Sequence, residues 1–173
     1  MLDFAEWLQA TSVSVTIQSV GWVIPFLQSV HILMIGVVFV SILMISLRIL
    51  GRMLMDEPFG RVWSRFAPWM WSGLVVMTLT GVLLVLGEPV RELMSLSFWI
   101  KMALLAVGIA SVVVFGRSLE PAALTAGYGP EFSTATKSVA IAEVVLWLAI
   151  IFLGRAIAYD VEVWGSLSPA LRG

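Results

Sequence analysis

The chain carries one histidine, His31, inside the stretch "PFLQSVHILMIGVVFVSILMISLRIL" that runs from Pro25 to Leu50. Almost everything around it is apolar. Imidazole is a common ligand of haem iron and a proton carrier near neutral pH. Gln28 precedes His31 by three residues, so on a helix the two face one groove. A second ionisable group, Glu143, sits in "VAIAEVVLWLAIIFLG". A carboxylate in such a run is costly unless paired or protonated. Arg48, near the end of the histidine segment, lies at a matching depth. The spacing therefore predicts an Arg48–Glu143 pair. The functional reading makes Glu143 a proton or cation site. The structural reading makes it half of an interhelical ion pair, or a carboxyl facing a water pocket. Trp147 follows Glu143 by one turn, on the same face. It can pack in a bundle, give its N–H to a buried acceptor, or stack on a flat cofactor.

Lys101 and Arg155 each fall about one turn inside an apolar segment, at the same end as His31. Each alone can snorkel outward. Together they would form an electropositive vestibule above His31, suited to an anionic headgroup, a haem propionate or a quinone carbonyl. Glu88, Glu92, Asp160 and Glu162 lie at that end and would neutralise much of it. A lone histidine cannot make a bis-histidine haem site within one chain. Two His31 residues across a two-fold axis, His31 with a methionine, or His31 alone remain. Met77 lies at comparable depth. The candidate set for haem b or quinone is thus His31, Gln28, Lys101, Arg155, Met77 and Trp147. The competing reading is a neutral histidine hydrogen-bonded to the next helix, with methionines as gap-fillers.

The elements that must position these residues follow from composition. Of 173 residues, 60% are hydrophobic and 12% charged, with mean hydropathy +1.02. Soluble domains are about 45–50% apolar and about 25% charged. Lipid, not water, is the solvent implied. A helix needs about 20 residues to cross the roughly 30 Å hydrocarbon core. Four segments qualify, at about 22–50, 68–87, 97–116 and 136–159. Each must be helical, because unpaired backbone groups in lipid are expensive. The predicted fold is an all-α transmembrane four-helix bundle, one membrane domain over 1–173. Residues 2–20 read as an amphipathic interfacial helix, with Leu2, Phe4, Trp7 and Leu8 opposite Asp3 and Glu6. Residues 56–67 read as a second interfacial segment. Pro25 either starts or kinks the first span. Small residues such as Gly73, Gly81, Gly108, Ala140 and Gly154 predict close helix packing.

Charge placement orients the bundle. The first 47 residues hold no Lys or Arg. Arg48, Arg52, Arg61, Arg65, Arg117 and Lys137 fall on one side; Arg91, Lys101, Arg155 and Arg172 fall on the other. Positive residues favour the cytoplasm, so both termini are expected outside a bacterial inner membrane. The acidic N-terminus lacks a positive region and reads as mature protein. Net charge of -1 gives no field for nucleic acid. Without cysteine there are no disulfides, thiolate metal sites or c-type haem attachments. There is no GxGxxG, P-loop, HExxH or GxSxG motif, and no acidic cluster resembling a hard-metal cage.

The patches "EWLQATSVSVTIQ", "SVHILMIGVVFV", "LRILGR", "FAPWMWSGLVVMTLTGVLLV", "SFWIKMALL" and "GRAIAY", in that order, resemble a family of small bacterial four-span membrane proteins catalogued as a domain of unknown function. The resemblance implies the four-helix fold. It points to His31, Arg48, Trp69, Gly81, Lys101, Gly154 and Arg155 and supplies no activity. A looser likeness, a histidine helix paired with an "LTG" helix, links the chain to copper-resistance-D-type and b-type cytochrome membrane subunits. These readings predict an inner-membrane subunit or accessory, or a homo-oligomer, without a self-contained catalytic site. The alternatives are a redox subunit holding haem b or quinone near His31, and a small-solute or proton conductor using Glu143 and His31.

Overall fold

The computed structural model describes residues 1–125 and 132–171, without the side chains of 118–125. Arg172, counted above among the positive residues, lies outside them. Two short helices, α1 (Leu2–Gln9) and α2 (Ser12–Ser19), precede the long α3 (Val23–Ile49). Then come α4 (Phe59–Gly87), the short α5 (Pro89–Leu93), α6 (Leu96–Thr125), α7 (Thr134–Ala156) and α8 (Asp160–Trp164). Among the described residues, four helical segments are long and apolar enough to cross a membrane: Val23–Ile49, Phe59–Gly87, Leu96–Arg117 and Thr134–Leu167. The last includes the turns after α7. The 23 residues of α7 alone rise about 34 Å, enough to cross, so those turns stand beyond the span.

Pro25 is the third residue of α3, in its first turn, where no intrahelical donor is lost, so the helix begins ahead of it at Val23 and runs on unbroken. At the other end α3 closes with a Schellman turn. Gly51 has φ +69°, Arg52 N donates to Leu47 O at 2.9 Å, and Gly51 N donates to Arg48 O at 3.2 Å.

The second span begins earlier than the sequence suggests. Residues 59–67 are not a separate interfacial helix; they are the first turns of α4, which runs through Pro68. The reason is burial. Phe59, Val62 and Ala67 are buried, and Phe59 joins Ile45, Ile49 and Ala140 in a cluster at this end. That gain outweighs the hydrogen bond the proline removes.

The main core gathers Val38 and Ile42 of α3, Met70, Leu74 and Met77 of α4, Val112 of α6, and Trp147 and Ile150 of α7. Helices α3 and α4 pack closely at Gly73, where a Cβ would stand 2.8 Å from Val38 Cγ2. At the terminal end α1, α2, α5 and α8 form a cap. Ala5, Leu93, Phe98 and Ile157 pack beneath it, and Gln18 Nε2 donates to Gly87 O at 2.9 Å, satisfying a carbonyl at the end of α4. Phe4 and Trp7 stack on each other and remain exposed, while Ala5 faces inward.

Candidate functional site: two polar layers in the bundle

One layer lies toward the terminal end. His31 Nδ1 is 2.9 Å from Thr80 Oγ1 on α4. Thr80 is held in turn, its hydroxyl lying 2.9 Å from Val76 O and 3.1 Å from Met77 O. The ring rests on Gly81, where a Cβ would be 3.3 Å from His31 Cε1. Gly81 thus makes room for the imidazole, and Thr80 fixes its rotation. Met77 itself is buried in the main core. A porphyrin placed between His31 and Met77 would have to part α3 from α4, which touch along this whole length. In this packing His31 is engaged by Thr80 and Met77 by the core.

Lys101 lays its stem over Gly154 of α7, where a Cβ would stand 3.6 Å from Lys101 Nζ. It lies at the same end of the bundle as His31 and the buried Glu92. Gln28 turns to Glu88, with Nε2 to Oε2 at 3.5 Å, the long edge of bonding distance. Arg91 lies 3.0 Å from Glu88 and 3.3 Å from Glu92. The structure thus brings Gln28, His31 and Lys101 to one end, beside acids that balance the charge. Arg155 is different. It is exposed, donates to Tyr159 Oη at 3.0 Å, and lies 5.1 Å over that ring. The expected vestibule loses this member, because a guanidinium near a helix end finds an aromatic face one turn on.

The second layer surrounds Glu143. Its side chain is buried, only 4% exposed. Trp147 Nε1 donates to Glu143 Oε2 at 3.2 Å, and the indole is itself fully within the core. Of the three expectations for Trp147, packing and N–H donation are met together. Ser111 of α6 stands beside the carboxyl. Oε1 of Glu143 has no hydrogen-bond partner. It belongs to a small cavity lined also by Ile42, Ile45, Ser46, Trp63, Met70, Val112 and Phe115.

The expected Arg48–Glu143 pair is absent. Arg48 is buried, but its Nε and Nη2 donate to Glu57 O at 3.3 and 3.0 Å, and Nη1 lies 3.6 Å from Met55 Sδ. The Schellman turn at Gly51 folds the α3–α4 connection back under α3. A backbone carbonyl thereby comes closer to the guanidinium than a carboxylate on α7. Glu57 in turn receives Arg65 at 2.6 Å.

Sequence reasoning missed a third polar cluster. Asp160 is buried at the N-terminus of α6. Its Oδ1 accepts from Ser95 Oγ at 2.9 Å, Ser97 N at 2.8 Å and Ser97 Oγ at 2.7 Å. Its Oδ2 accepts from Leu96 N at 3.1 Å and Ser168 Oγ at 2.7 Å. Trp164 Nε1 donates to Ser97 Oγ at 2.8 Å. The carboxylate fills the anion position that a helix start offers. Burial alone would raise its pKa from 3.8; the hydrogen bonds from Ser97, Ser168 and Leu96 override this and bring it down to about 2. The one signal in the sequence was "SLS" directly before an apolar run, a helix start lacking an acid of its own.

Four apolar helices of spanning length, packed about a shared core under a helical cap, define a small four-span integral membrane protein. A family model described as a family of unknown function (DUF6644) matches residues 4–160, and the chain belongs to that family. No curated protein and no solved structure matches. The looser likeness to copper-resistance-D-type and b-type cytochrome subunits accordingly gains nothing from these comparisons.

Proposed function

We propose that the chain is a subunit or accessory of a larger assembly in a bacterial inner membrane, and that it joins this assembly through α6. The supporting observation is the contrast between what α6 and the other long helices turn outward. Exposed on α3 are Ile32 and Leu33; on α4, Val75, Leu79 and Val82; on α7, Ile141, Val145 and Phe152. These bulky side chains suit acyl chains. α6 also exposes Trp99, Met102, Val107 and Val114, but between them it turns outward the small Ala103, Ala106 and Ala110. Its spanning window is also the least covered, 17% buried against 28–33% for the others. Helix association in lipid depends on close packing rather than on escape from water, and small residues permit it. The occupant we propose is a further apolar transmembrane helix. In this reading both termini lie on the outer side, and the arginine-rich connection between α3 and α4 lies in the cytoplasm.

The chain has no cysteine, so Ala106→Cys is a clean cross-linking probe. In native membranes it is expected to give one discrete adduct. An adduct of twice the chain's mass identifies a second copy, and any other defined mass identifies a different subunit. Ala106→Trp should abolish complex formation in mild detergent while the monomer still folds. Monomer alone in both experiments overturns the proposal.

A further inference from the structure

We propose that Glu143 is a proton-exchange site served by a single water molecule, reached from the arginine-rich end of the bundle. The carboxyl lies where all four long helices meet. Ser46 comes from α3, Trp63 and Met70 from α4, Val112 and Phe115 from α6. Beside it is a cavity with about 20 Å³ of space for the centre of a water molecule. One water needs roughly 10–15 Å³ by that measure, and also polar partners. Glu143 Oε1 supplies one, and the hydroxyls of Ser46 and Ser111 stand on the flanking helices.

The chemistry of the carboxyl calls for such a guest. An ionised Glu143 leaves Oε1 charged and without a donor. A neutral Glu143 protonated there leaves an O–H without an acceptor. Each state is one partner short, and a buried polar group without a partner is costly. Water can both donate and accept, so it serves both states. A metal cation does not fit as well. Sodium or calcium requires a cage of several oxygens, and this wall is otherwise Ile42, Ile45, Met70, Val112 and aromatic rings. In the exchange step the Glu143 O–H bond breaks, its electron pair stays on the carboxylate, and the proton passes to the water and on to the arginine-rich side.

Access follows from position. Trp63 and Phe115 lie between the cavity and that end, where both also border the Phe59–Ala140 cluster. In the other direction Trp147 and Ile150 close the core. Glu143 and Gly154 are eleven residues apart on α7, about 16 Å by helix rise, so the Lys101 layer is remote. Among the described residues, the charged groups at this end include the exposed Arg52, Asp56 and Arg61. On α3, Arg48 is turned to Glu57 O; on α4, Arg65 is paired with Glu57. Arg117 of α6 and Lys137 of α7 are exposed beyond the cavity.

The test is infrared spectroscopy of the full chain in liposomes. An acid-to-alkaline titration should convert a protonated-carboxyl C=O band into a carboxylate band, and the C=O band should shift promptly in heavy water. Glu143→Gln should remove it. Trp147→Phe, which deletes the donor to Oε2, should move its frequency and so assigns the band if the first variant fails to fold. Ser46→Ile fills the cavity and should slow the heavy-water shift several-fold. The proposal is overturned by a band that neither titrates nor exchanges, by one indifferent to both Glu143→Gln and Trp147→Phe, or by exchange that Ser46→Ile leaves unchanged.

Discussion

His31 and Asp160 show what a single residue type reveals and what it hides. The histidine announced itself, because imidazole within an apolar run has to find a partner. Its partner did not announce itself: the chain has many hydroxyls, and only packing selects Thr80. That bond has a modest energy. Hydrogen bonds between membrane helices average about 0.6 kcal/mol, because the unfolded chain in lipid also finds partners. Thr80→Val should therefore lower the thermal midpoint in detergent by an amount corresponding to roughly 0.5–1 kcal/mol, and Thr80→Ser should restore it. A larger loss would mean that His31 holds more than its own rotamer. Asp160 was legible as an acid in the tail, not as the ligand of a helix start 64 residues earlier. Its effect on stability has a definite sign with pH. The folded value, about 2, lies below the ordinary 3.8. The unfolded state therefore binds the proton more readily, and the contribution is present above the ordinary value. It is lost as pH falls through the interval between the two. Asp160→Asn places an NH₂ against backbone and hydroxyl donors, costs about 1–3 kcal/mol, and should flatten that acid limb. Thermal midpoints of both proteins across the acid range measure this directly.

Elements follow more openly from sequence than contacts do. Three of the four spans begin within two residues of their sequence-derived starts, because an uninterrupted apolar run in lipid has no alternative to a helix. The exception is α4, where Pro68 reads as a start and is in fact interior. A proline marks a missing hydrogen bond; it does not reveal that Val62 and Phe59, six and nine residues earlier, will be buried. Helix pairing was legible only as a set of small residues. That Gly73 is a point of close approach requires knowing that Val38 stands opposite. Any side chain there must displace Val38 or the α3 backbone. Gly73→Val should cost about 1–3 kcal/mol, the usual effect of overfilling a packed core. Gly36, with open space around its α-carbon, should accept alanine without loss. Comparing the two by thermal melting in one detergent tests whether α3–α4 contact, rather than glycine content, sets the stability of the bundle.

For the whole molecule, solvent and span count come straight from composition, whereas orientation rests on a difference of a few charges. Arg48 carries less of that difference than its place in the sequence suggests, since its guanidinium is buried against Glu57 O. Arg52 and Arg61 are exposed, and Arg65 is exposed but paired. Acidic neighbours weaken the rule little, because translocation reads Lys and Arg rather than net charge. The connection between α3 and α4 therefore remains the strongest cytoplasmic signal, and no Lys or Arg precedes it on the terminal side in the first 47 residues. A cysteine-free chain allows a direct check. Ser12 and Ser64 are both exposed and lie at opposite ends of the bundle. With an impermeant maleimide on intact cells, Ser12→Cys should label at once and Ser64→Cys only after the membrane is opened. Replacing Arg52 and Arg61 by Gln removes two of the six positive residues on that side and leaves four against four. A mixed labelling pattern in that variant is then expected, with part of the population inverted. Uniform labelling of Ser64→Cys in the unaltered background would place the arginines outside, and with them the approach to Glu143.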